Sequence, residues 1–336
     1  MDGGTGMKAI LIRETGGPSV LEWTEVPTPR PGPGEVLVRA EAIGVNRPDV
    51  LIRKGEYPWM PPLPTIPGIE MCGVVSDVGE GVTGLAPGDR VVVSARDLAT
   101  RGGCYAEYVA VPIAATYPVS PGCDAAAAAC LANYQVAHLL LTEAARGATV
   151  RSVYVAAASG GIGNALVELA HRAGQRVIAG VGSAAKAAAV ARLGADAVIV
   201  TSEEDVVDGI LAATAGNGVD LVLDPIGGET LARMFGALAR FGLVVSYGRL
   251  AGRRQEDIYE AMFRHQTRNP GFRLFTMHAF DGDDEVRRSA LRHLLSLLAK
   301  GEIAPPIAAR LPLEKAAEAH ALMESRTLVG NIVLVP

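Results

Sequence analysis

Hydrophobic and polar positions change their spacing along the chain, and the change separates three parts. Between residue 7 and about residue 125, short apolar segments that favour β-strands are punctuated by glycines and prolines. The predicted strands of this part are Lys8–Arg13, Glu35–Ile43, Gly73–Val78, Arg90–Val93 and Tyr105–Val111. This pattern predicts a small β-rich domain.

The second part, from about residue 130 to residue 280, alternates apolar runs with helical segments. Its predicted strands are Val153–Ala157, Arg176–Val181, Ala197–Val200, Leu221–Leu223 and Leu243–Tyr247. Alternation of this kind is typical of repeated βαβ units around a parallel sheet.

The third part contains helical patterns at Asp283–Lys300 and Glu314–Glu324 and a final apolar strand, Leu328–Val335. A break at Pro305-Pro306 indicates that the chain returns here to the first domain. We therefore expect an α/β protein of two domains. One domain comprises residues 1–130 and 281–336, and the other comprises residues 131–280.

Composition and charge limit the classes of partner. A chain of 336 residues with 49% hydrophobic and 20% charged residues indicates a globular protein. The net charge of −5 disfavours nucleic acid or an anionic membrane surface as a partner. No apolar run reaches the roughly 18–20 residues that a membrane helix needs, and the N-terminal residues lack a signal pattern. We expect a cytoplasmic protein.

The four cysteines are also typical of a reducing compartment, because they are too few for a disulfide framework. They are Cys72, Cys104, Cys123 and Cys130. None forms a C-x-x-C pair, and no histidine lies near them at ligand spacing. This favours buried structural thiols over a metal or redox role.

A Gly-rich turn carries the first chemical signal. The apolar run Val153–Ala157 leads into Ala157-x-x-Gly160-x-x-Gly163, and a helical pattern from Asn164 to Ala173 follows. A strand, a glycine turn and a helix N-terminus together suit a dinucleotide pyrophosphate, because unpaired N–H groups and the helix dipole face the anion. The alternative is a small-residue turn that serves helix–strand packing alone.

The second strand of this unit indicates which dinucleotide binds. An NAD-type site carries Asp or Glu here to bind the ribose 2′-hydroxyl, but no acidic residue occurs between Leu169 and Ala195. Instead Gly182-Ser183 ends the strand and Lys186 follows. A cation without a carboxylate suits the extra phosphate of NADPH. The alternative is that Lys186 is an ordinary solvated helix residue.

Several motifs in register resemble one known family over nearly the whole chain. They are Ile43-Gly44-Val45-Asn46-x-x-Asp49, Ile52-Arg53-x-Gly55-x-Tyr57-Pro58, Pro67-Gly68-x-Glu70, Ala86-Pro87-Gly88-Asp89-Arg90-Val91, the Gly-rich turn, and Glu324-Ser325-Arg326 before Gly330. This set resembles the zinc-independent quinone oxidoreductases of the medium-chain dehydrogenase/reductase superfamily. The resemblance implies a GroES-like β-rich catalytic domain and a doubly wound Rossmann domain that binds NADPH.

The metal positions of this superfamily are altered. Zinc-dependent members carry a Cys where this chain has Asn46, and a His before Glu70 where this chain has Ile69. Neither replacement is a normal zinc ligand. The four-cysteine structural loop is also missing between Val93 and Tyr105, where only Cys104 stands. We therefore expect no metal.

The resemblance also implies roles for individual residues. It makes Asn46 and Tyr57 catalytic, with Asn46 also touching the cofactor, although Tyr57 could simply pack in its loop. It assigns the pyrophosphate to Ser159, Gly160, Gly161, Ile162 and Gly163, and the adenosine phosphate to Gly182, Ser183, Lys186 and Arg326. It places Ser246, Tyr247 and Gly248 near the nicotinamide, and Thr201 stands where many relatives have a tyrosine that covers the adenine. For Arg326, a surface salt bridge is the plain alternative. The expected acceptor pocket is lined by Leu51, Tyr57, Trp59 and Met60.

Two departures from the family concern the pocket and the surface. Val50-Leu51 stands where relatives have a second tyrosine, which makes the pocket more apolar, and the segment Gly252–Phe272 looks longer than typical. We expect that segment to form an added amphipathic helix over the cleft or a dimer contact. Relatives pair sheets between subunits at the strand here predicted as Phe272–Met277, so we expect a homodimer.

The leading functional hypothesis is an NADPH-dependent reductase of quinones or α,β-unsaturated carbonyls. A second hypothesis is an enoyl-thioester or biosynthetic ene reductase, for which Arg253, Arg254, Arg264 and Arg268 would supply a basic entrance. A third, from another class, is a non-catalytic NADPH-binding protein of the crystallin type.

Overall fold

The structure is a computed structural model that describes residues 6–252 and 257–336. In chain order its strands are β1 (Gly6–Leu11), β2 (Glu22–Pro27), β3 (Glu35–Val45), β4 (Glu70–Val78), β5 (Arg90–Ser94), β6 (Tyr108–Pro112), β7 (Thr116–Pro118), β8 (Ser152–Val155), β9 (Arg176–Val181), β10 (Ala197–Val200), β11 (Val219–Asp224), β12 (Leu238–Ser246), β13 (Gly271–Leu274), β14 (Ile307–Pro312) and β15 (Asn331–Val335).

The α-helices alternate with these strands mainly in the second half of the chain. They are α1 (Arg47–Lys54), α2 (Ala125–Ala128), α3 (Leu131–Leu139), α4 (Gly161–Arg172), α5 (Ala184–Ala191), α6 (Val206–Ala213), α7 (Gly228–Arg233), α8 (Ile258–Phe263), α9 (Asp284–Ala299) and α10 (Ala316–Ser325). The chain forms two compact units: a first unit of residues 1–132 and 291–336, and a second unit of residues 133–290.

The first unit is built around a largely antiparallel sheet. Its strand order is β14-β15-β3-β4-β5-β7, with β6 also pairing with β3, and β1 and β2 form a separate ribbon. Alternate residues of β3, such as Val36 and Val38, are fully buried while Arg39 is exposed, as expected for a strand with one face on the core. The C-terminal β15 pairs with β3, so the end of the chain completes this sheet.

The second unit is a doubly wound parallel sheet. Its strand order is β10-β9-β8-β11-β12-β13, and every pair is parallel. The order reverses between β8 and β11, and in such sheets ligands bind outside the carboxyl ends of the strands at that point. Tyr154, Ile178 and Phe235 belong to the core that covers one face. The predicted α/β fold class, a GroES-like unit and a Rossmann unit, is confirmed.

Some boundaries differ from the sequence prediction for local reasons. Strand β8 ends at Val155 rather than Ala157, because Ala157 already turns with a φ of 51°. Strand β15 begins after Gly330, whose φ is 109°. Strands β2 and β14 were not predicted, since both have few fully buried residues and lack a clear apolar run.

The segment Gly252–Phe272 contains a short helix, α8, in which Tyr259 and Phe263 are exposed and stack on each other. Arg253 and Arg254 lie outside the described residues. Among the helices of the described residues, none is long and apolar enough to cross a membrane.

Candidate active site

The Gly-rich turn joins β8 to α4 at the carboxyl end of the central strand. Gly160 is the N-cap residue of α4, no side chain caps this end, and the first turn carries no acidic residue. A Cβ on Gly160 would meet nothing closer than 3.6 Å. The first N–H groups of a twelve-residue helix are therefore open to an anion, as a pyrophosphate requires. Ser159, Gly161 and Ile162 lie in the same turn.

The next two strands bring the predicted adenosine-phosphate residues to the same edge. Ser183 is the N-cap of α5 and makes no side-chain cap hydrogen bond, and Lys186 lies in the first turn of that helix. A Cβ on Gly182 would meet nothing within 4 Å, so there is open space above β9. After β10, the Thr201 hydroxyl donates to the Val181 carbonyl at 3.2 Å. That bond, together with the one from the Thr201 N–H to the same carbonyl, joins the ends of β9 and β10.

A third part of this edge follows β11 and β12. The Tyr247 N–H donates to the Asp224 carbonyl at 2.9 Å, which ties Ser246-Tyr247-Gly248 to the end of β11. A Cβ on Gly248 would come within 2.6 Å of the Pro225 carbonyl oxygen, so only glycine allows this approach. All predicted cofactor residues of the second unit thus lie at the carboxyl edge of one sheet.

Asp224, the last residue of β11, also lies at this edge and was not predicted from the sequence. It is fully buried, and its Oδ1 accepts the N–H groups of Ile226 and Gly227 at 2.6 and 2.7 Å. Burial raises its pKa, while these two hydrogen bonds act in the opposite direction. The signal in the sequence was an acid that ends an apolar strand before Pro-x-Gly-Gly, a typical Asx turn.

In the first unit, Asn46 links β3 to α1 and is held by Glu70 at the start of β4. The Asn46 Nδ2 donates to Glu70 Oε1 at 2.8 Å, and both side chains are almost completely buried. The other carboxyl oxygen of Glu70 accepts the Ala132 N–H at 2.7 Å. Burial raises the pKa of Glu70 to about 8, although both hydrogen bonds lower it.

Asp49 is a second buried carboxyl beside Asn46. Its Oδ2 accepts the Asn46 N–H at 2.8 Å and its Oδ1 accepts the Gly68 N–H at 3.2 Å. The Tyr105 hydroxyl also donates to it at 3.5 Å, and that hydroxyl lies 3.1 Å from Nε2 of His320. Burial raises the pKa of Asp49 to about 7. In the sequence, Asp49 and Glu70 are visible only as positions in two separate motifs, and their spacing does not reveal this network.

The predicted pocket residues of the first unit lie in α1, for Leu51, and in the segment after it, for Tyr57, Trp59 and Met60. Tyr57 is buried and its ring lies 5.7 Å from that of Trp59, which is about half exposed. Leu51 and Met60 are half-buried against the same hydrophobic core. Arg326, at the end of α10, also belongs to the first unit and is exposed, with a φ of 55°. The predicted site residues are therefore divided between the two units.

The metal positions do not form a metal site. Asn46 gives its amide to Glu70, Ile69 offers no donor atom, and Cys72, Cys104 and Cys130 are buried separately as free thiols. Within residues 6–252 and 257–336 there is no group of three or more His, Cys, Asp or Glu side chains that could hold a metal ion. The donor set does not fit catalytic zinc.

Comparisons with known proteins agree with this architecture. Residues 32–121 match the alcohol dehydrogenase GroES-like domain, and residues 193–334 match a family described as zinc-binding dehydrogenase. Quinone oxidoreductase 1 of Escherichia coli (strain K12) is 34% identical over 97% of this chain and 99% of its own. The chain belongs to the quinone oxidoreductase family of the medium-chain dehydrogenase/reductase superfamily.

Two further comparisons show the range of this quinone oxidoreductase family. The synaptic vesicle membrane protein VAT-1 homolog of Rattus norvegicus is 33% identical over 98% of this chain and 84% of its own. The structure of Escherichia coli quinone oxidoreductase complexed with NADPH matches with a TM-score of 0.87 and 30% identity, over 98% of this chain and all of that one. The family resemblance inferred from the sequence motifs is confirmed.

Proposed function

We propose that the protein is an NADPH-dependent reductase that delivers hydride to a quinone or an α,β-unsaturated carbonyl compound without a metal. The observation that carries the proposal is the pairing of two features. The uncapped N-terminus of α4 is followed by a segment, Leu169–Ala195, that contains Lys186 but no acidic residue, and Asn46 stands at the position of a zinc ligand. A missing Lewis acid disfavours alcohol oxidation, whereas reduction of a conjugated acceptor spreads the new charge onto an oxygen.

The second unit would bind the cofactor. The open N–H groups of α4, at Ser159–Gly163, suit the pyrophosphate, and Gly182, Ser183 and Lys186 suit the 2′-phosphate of NADPH, with Thr201 beside them. Ser246–Gly248 would approach the nicotinamide. Arg326 would add a guanidinium to the phosphate, which it can grip with two N–H groups.

The first unit would serve the acceptor. NADPH, when bound, supplies the hydride. Asn46 and the Tyr57 hydroxyl would donate hydrogen bonds to the acceptor oxygen as negative charge builds on it, with Asn46 also touching the cofactor. Leu51, Trp59 and Met60, with Tyr57, would give a flat apolar acceptor its contact surface and exclude water.

The ene-reductase alternative for acyl-carrier substrates finds less support. It needs a basic entrance, but the Arg268 guanidinium donates to the carbonyls of Gly236 and Leu238 and so holds a loop. Arg253 and Arg254 are outside the described residues, and Arg264 alone makes no basic entrance. The binding-protein alternative differs from the proposal only in turnover.

The test is NADPH oxidation with a quinone, an enone and an enoyl-CoA, with NADH in parallel. We expect turnover with the quinone or the enone and a preference for NADPH. Tight NADPH binding without oxidation by any acceptor would favour the binding protein, and a preference for enoyl-CoA would favour the ene reductase. We further propose a cytoplasmic homodimer that pairs through the β13 edge near Phe272–Met277.

A further inference from the structure

We propose that Glu70 is a positioning residue, which fixes the orientation of the Asn46 amide toward the reacting groups. The inference rests on the proposed function, because only a contact of Asn46 with cofactor or acceptor makes that orientation matter. The contact itself is direct: Asn46 Nδ2 lies 2.8 Å from Glu70 Oε1, and both side chains are almost fully buried.

An asparagine amide has two faces of opposite chemistry. Its nitrogen donates two hydrogen bonds and its oxygen only accepts, so turning it by 180° exchanges donor and acceptor. Both oxygens of the Glu70 carboxyl group accept an N–H, Oε1 from Asn46 and Oε2 from Ala132. Above its pKa of about 8 the carboxyl group has no proton to donate, and it therefore selects the orientation in which Nδ2 faces Glu70. The remaining N–H and the Oδ1 of Asn46 are then presented in a defined order to a ligand.

Glu70 can impose this orientation because it is itself held on two sides. Its second carboxyl oxygen accepts the Ala132 N–H at 2.7 Å, and a backbone donor at this helix start cannot turn away. On β3, a Cβ on Gly44 would come within 2.7 Å of Glu70 Oε1 and 2.9 Å of its Cγ. The missing side chain of Gly44 thus provides the space in which the Glu70 side chain lies.

The charges around Glu70 leave Asn46 as its main side-chain partner. Asp49 on α1 repels it. Burial raises the pKa of Tyr105, Cys104 and Cys130, and the charge of Glu70 raises these pKa values further. These groups are acids, so none offers a positive charge to compensate the carboxylate. Loss of the Asn46 hydrogen bond would leave a buried carboxyl oxygen without its side-chain donor, which is costly.

The variant that tests this is E70Q. A glutamine at this position has one acceptor oxygen for two N–H donors, and the backbone donor of Ala132 keeps it. Asn46 then faces an amide N–H₂ and is expected to turn over. Above pH 8, where Glu70 is ionised, we expect kcat to fall at least about tenfold, with the KM for NADPH changed less than about threefold, as for loss of an interaction made in the transition state.

Two comparisons separate positioning from a merely structural role. In an N46A background, E70Q should change kcat less than about twofold, because the residue it positions is gone. The matched control is E41Q: Glu41 lies on β3 of the same unit and accepts from Arg90 at 2.7 Å. It should leave kcat unchanged, and thermal unfolding should show that each variant folds.

A measurement that does not depend on enzyme activity completes the test. With ¹⁵N-labelled asparagine, the Asn46 side-chain N–H₂ signals, assigned by their loss in N46A, should exchange slowly and shift as Glu70 titrates. In E70Q the shift near pH 8 should vanish, while a shift near pH 7 from Asp49 would remain. The inference is overturned if these signals exchange as for an exposed asparagine, if E70Q is as active as wild type, or if its effect adds to that of N46A. If the wild-type protein shows no turnover, the proposed function is overturned and not this inference. The Asn46 amide signals then still decide whether Glu70 orients Asn46.

Discussion

Gly163 lies against the backbone of Ala157, so closely that a Cβ on Gly163 would come within 2.4 Å of the Ala157 carbonyl oxygen. The contact holds the first turn of α4 against the end of β8. We expect G163A to lower the free energy of unfolding by about 1–3 kcal/mol. It should also weaken NADPH binding, because the N–H groups of the first turn of α4 would move away from the pyrophosphate. Urea unfolding and a fluorescence titration with NADPH measure both.

The control for that variant is G282A. A Cβ on Gly282 would meet nothing within 4 Å, and the residue lies in the same unit. It should unfold and bind NADPH as the wild type does. Equal behaviour of G163A and G282A would contradict the proposed role of the tight turn.

Ala157 itself occupies a backbone conformation that favours glycine, with a φ of 51°. We expect A157G to raise the free energy of unfolding by about 0.5–1 kcal/mol, because the left-handed strain of the methyl-bearing residue is removed. The neighbouring A158G should do the opposite, since Ala158 is fully buried and is not in that conformation. If both variants change the free energy of unfolding by the same amount, backbone strain at Ala157 does not affect the stability of the protein.

Lys186 decides the choice between the two nicotinamide cofactors in our proposal. We expect K186A to raise the KM for NADPH about tenfold or more, the effect of losing a charge-assisted hydrogen bond, and to leave that for NADH nearly unchanged. Steady-state kinetics with both cofactors measure the ratio. R192A, at the other end of α5, removes an exposed cation from the same helix and should leave the ratio as in wild type.

The two raised carboxyl pKa values predict a pH dependence of stability. The folded protein holds the protons of Asp49 and Glu70 up to pH values of about 7 and about 8, whereas the unfolded chain releases them near 3.8 and 4.5. The free energy of unfolding should therefore fall as pH rises from about 4 to about 8, by up to about 1.4 kcal/mol per pH unit and group.

Urea unfolding between pH 5 and pH 8 checks this dependence. The slope should be shallower in E70Q, which cannot ionise at this position. An equal slope in E70Q and wild type would mean that Glu70 does not retain its proton on folding.

The edge strand β13 predicts how the protein assembles. Its residue Leu274 is 74% exposed, and the sheet of the described second unit ends at this strand. We expect a dimer in sedimentation velocity and a shift toward monomer in L274K, because an exposed lysine protects a sheet edge from pairing. F241K, at an equally exposed aromatic residue of the β12 bulge, should not alter the mass. A monomeric wild type would contradict the dimer.

Much of the fold was predictable from local patterns. β9 and β10 have the predicted bounds, because each is a continuous apolar run that ends at a polar or glycine position. Strand β2 was not predicted, because it forms through pairing with β1 and not through burial of its own side chains. That information lies at long range in the chain.

The cofactor edge was predictable for a similar reason. The family resemblance proposes Ser159, Ser183, Thr201 and Ser246 as cofactor residues, and all four lie at one edge because the carboxyl ends of parallel strands meet there. The Asn46–Glu70–Ala132 connection was not predictable, because its three members come from three segments. Neither periodicity nor spacing states that the Ala132 N–H and the Asn46 amide share one carboxyl group.

The Asn46–Glu70 hydrogen bond also has an evolutionary consequence. A cysteine at position 46 and a histidine at position 69 would restore two metal-binding side chains, yet the first change alone removes the donor that Glu70 requires. The Glu70 side chain would then lie buried without its side-chain donor until position 69 also changed and a metal ion could bind. Acquisition of a metal site therefore passes through a destabilised intermediate, and substitutions at positions 46 and 69 must be accepted together.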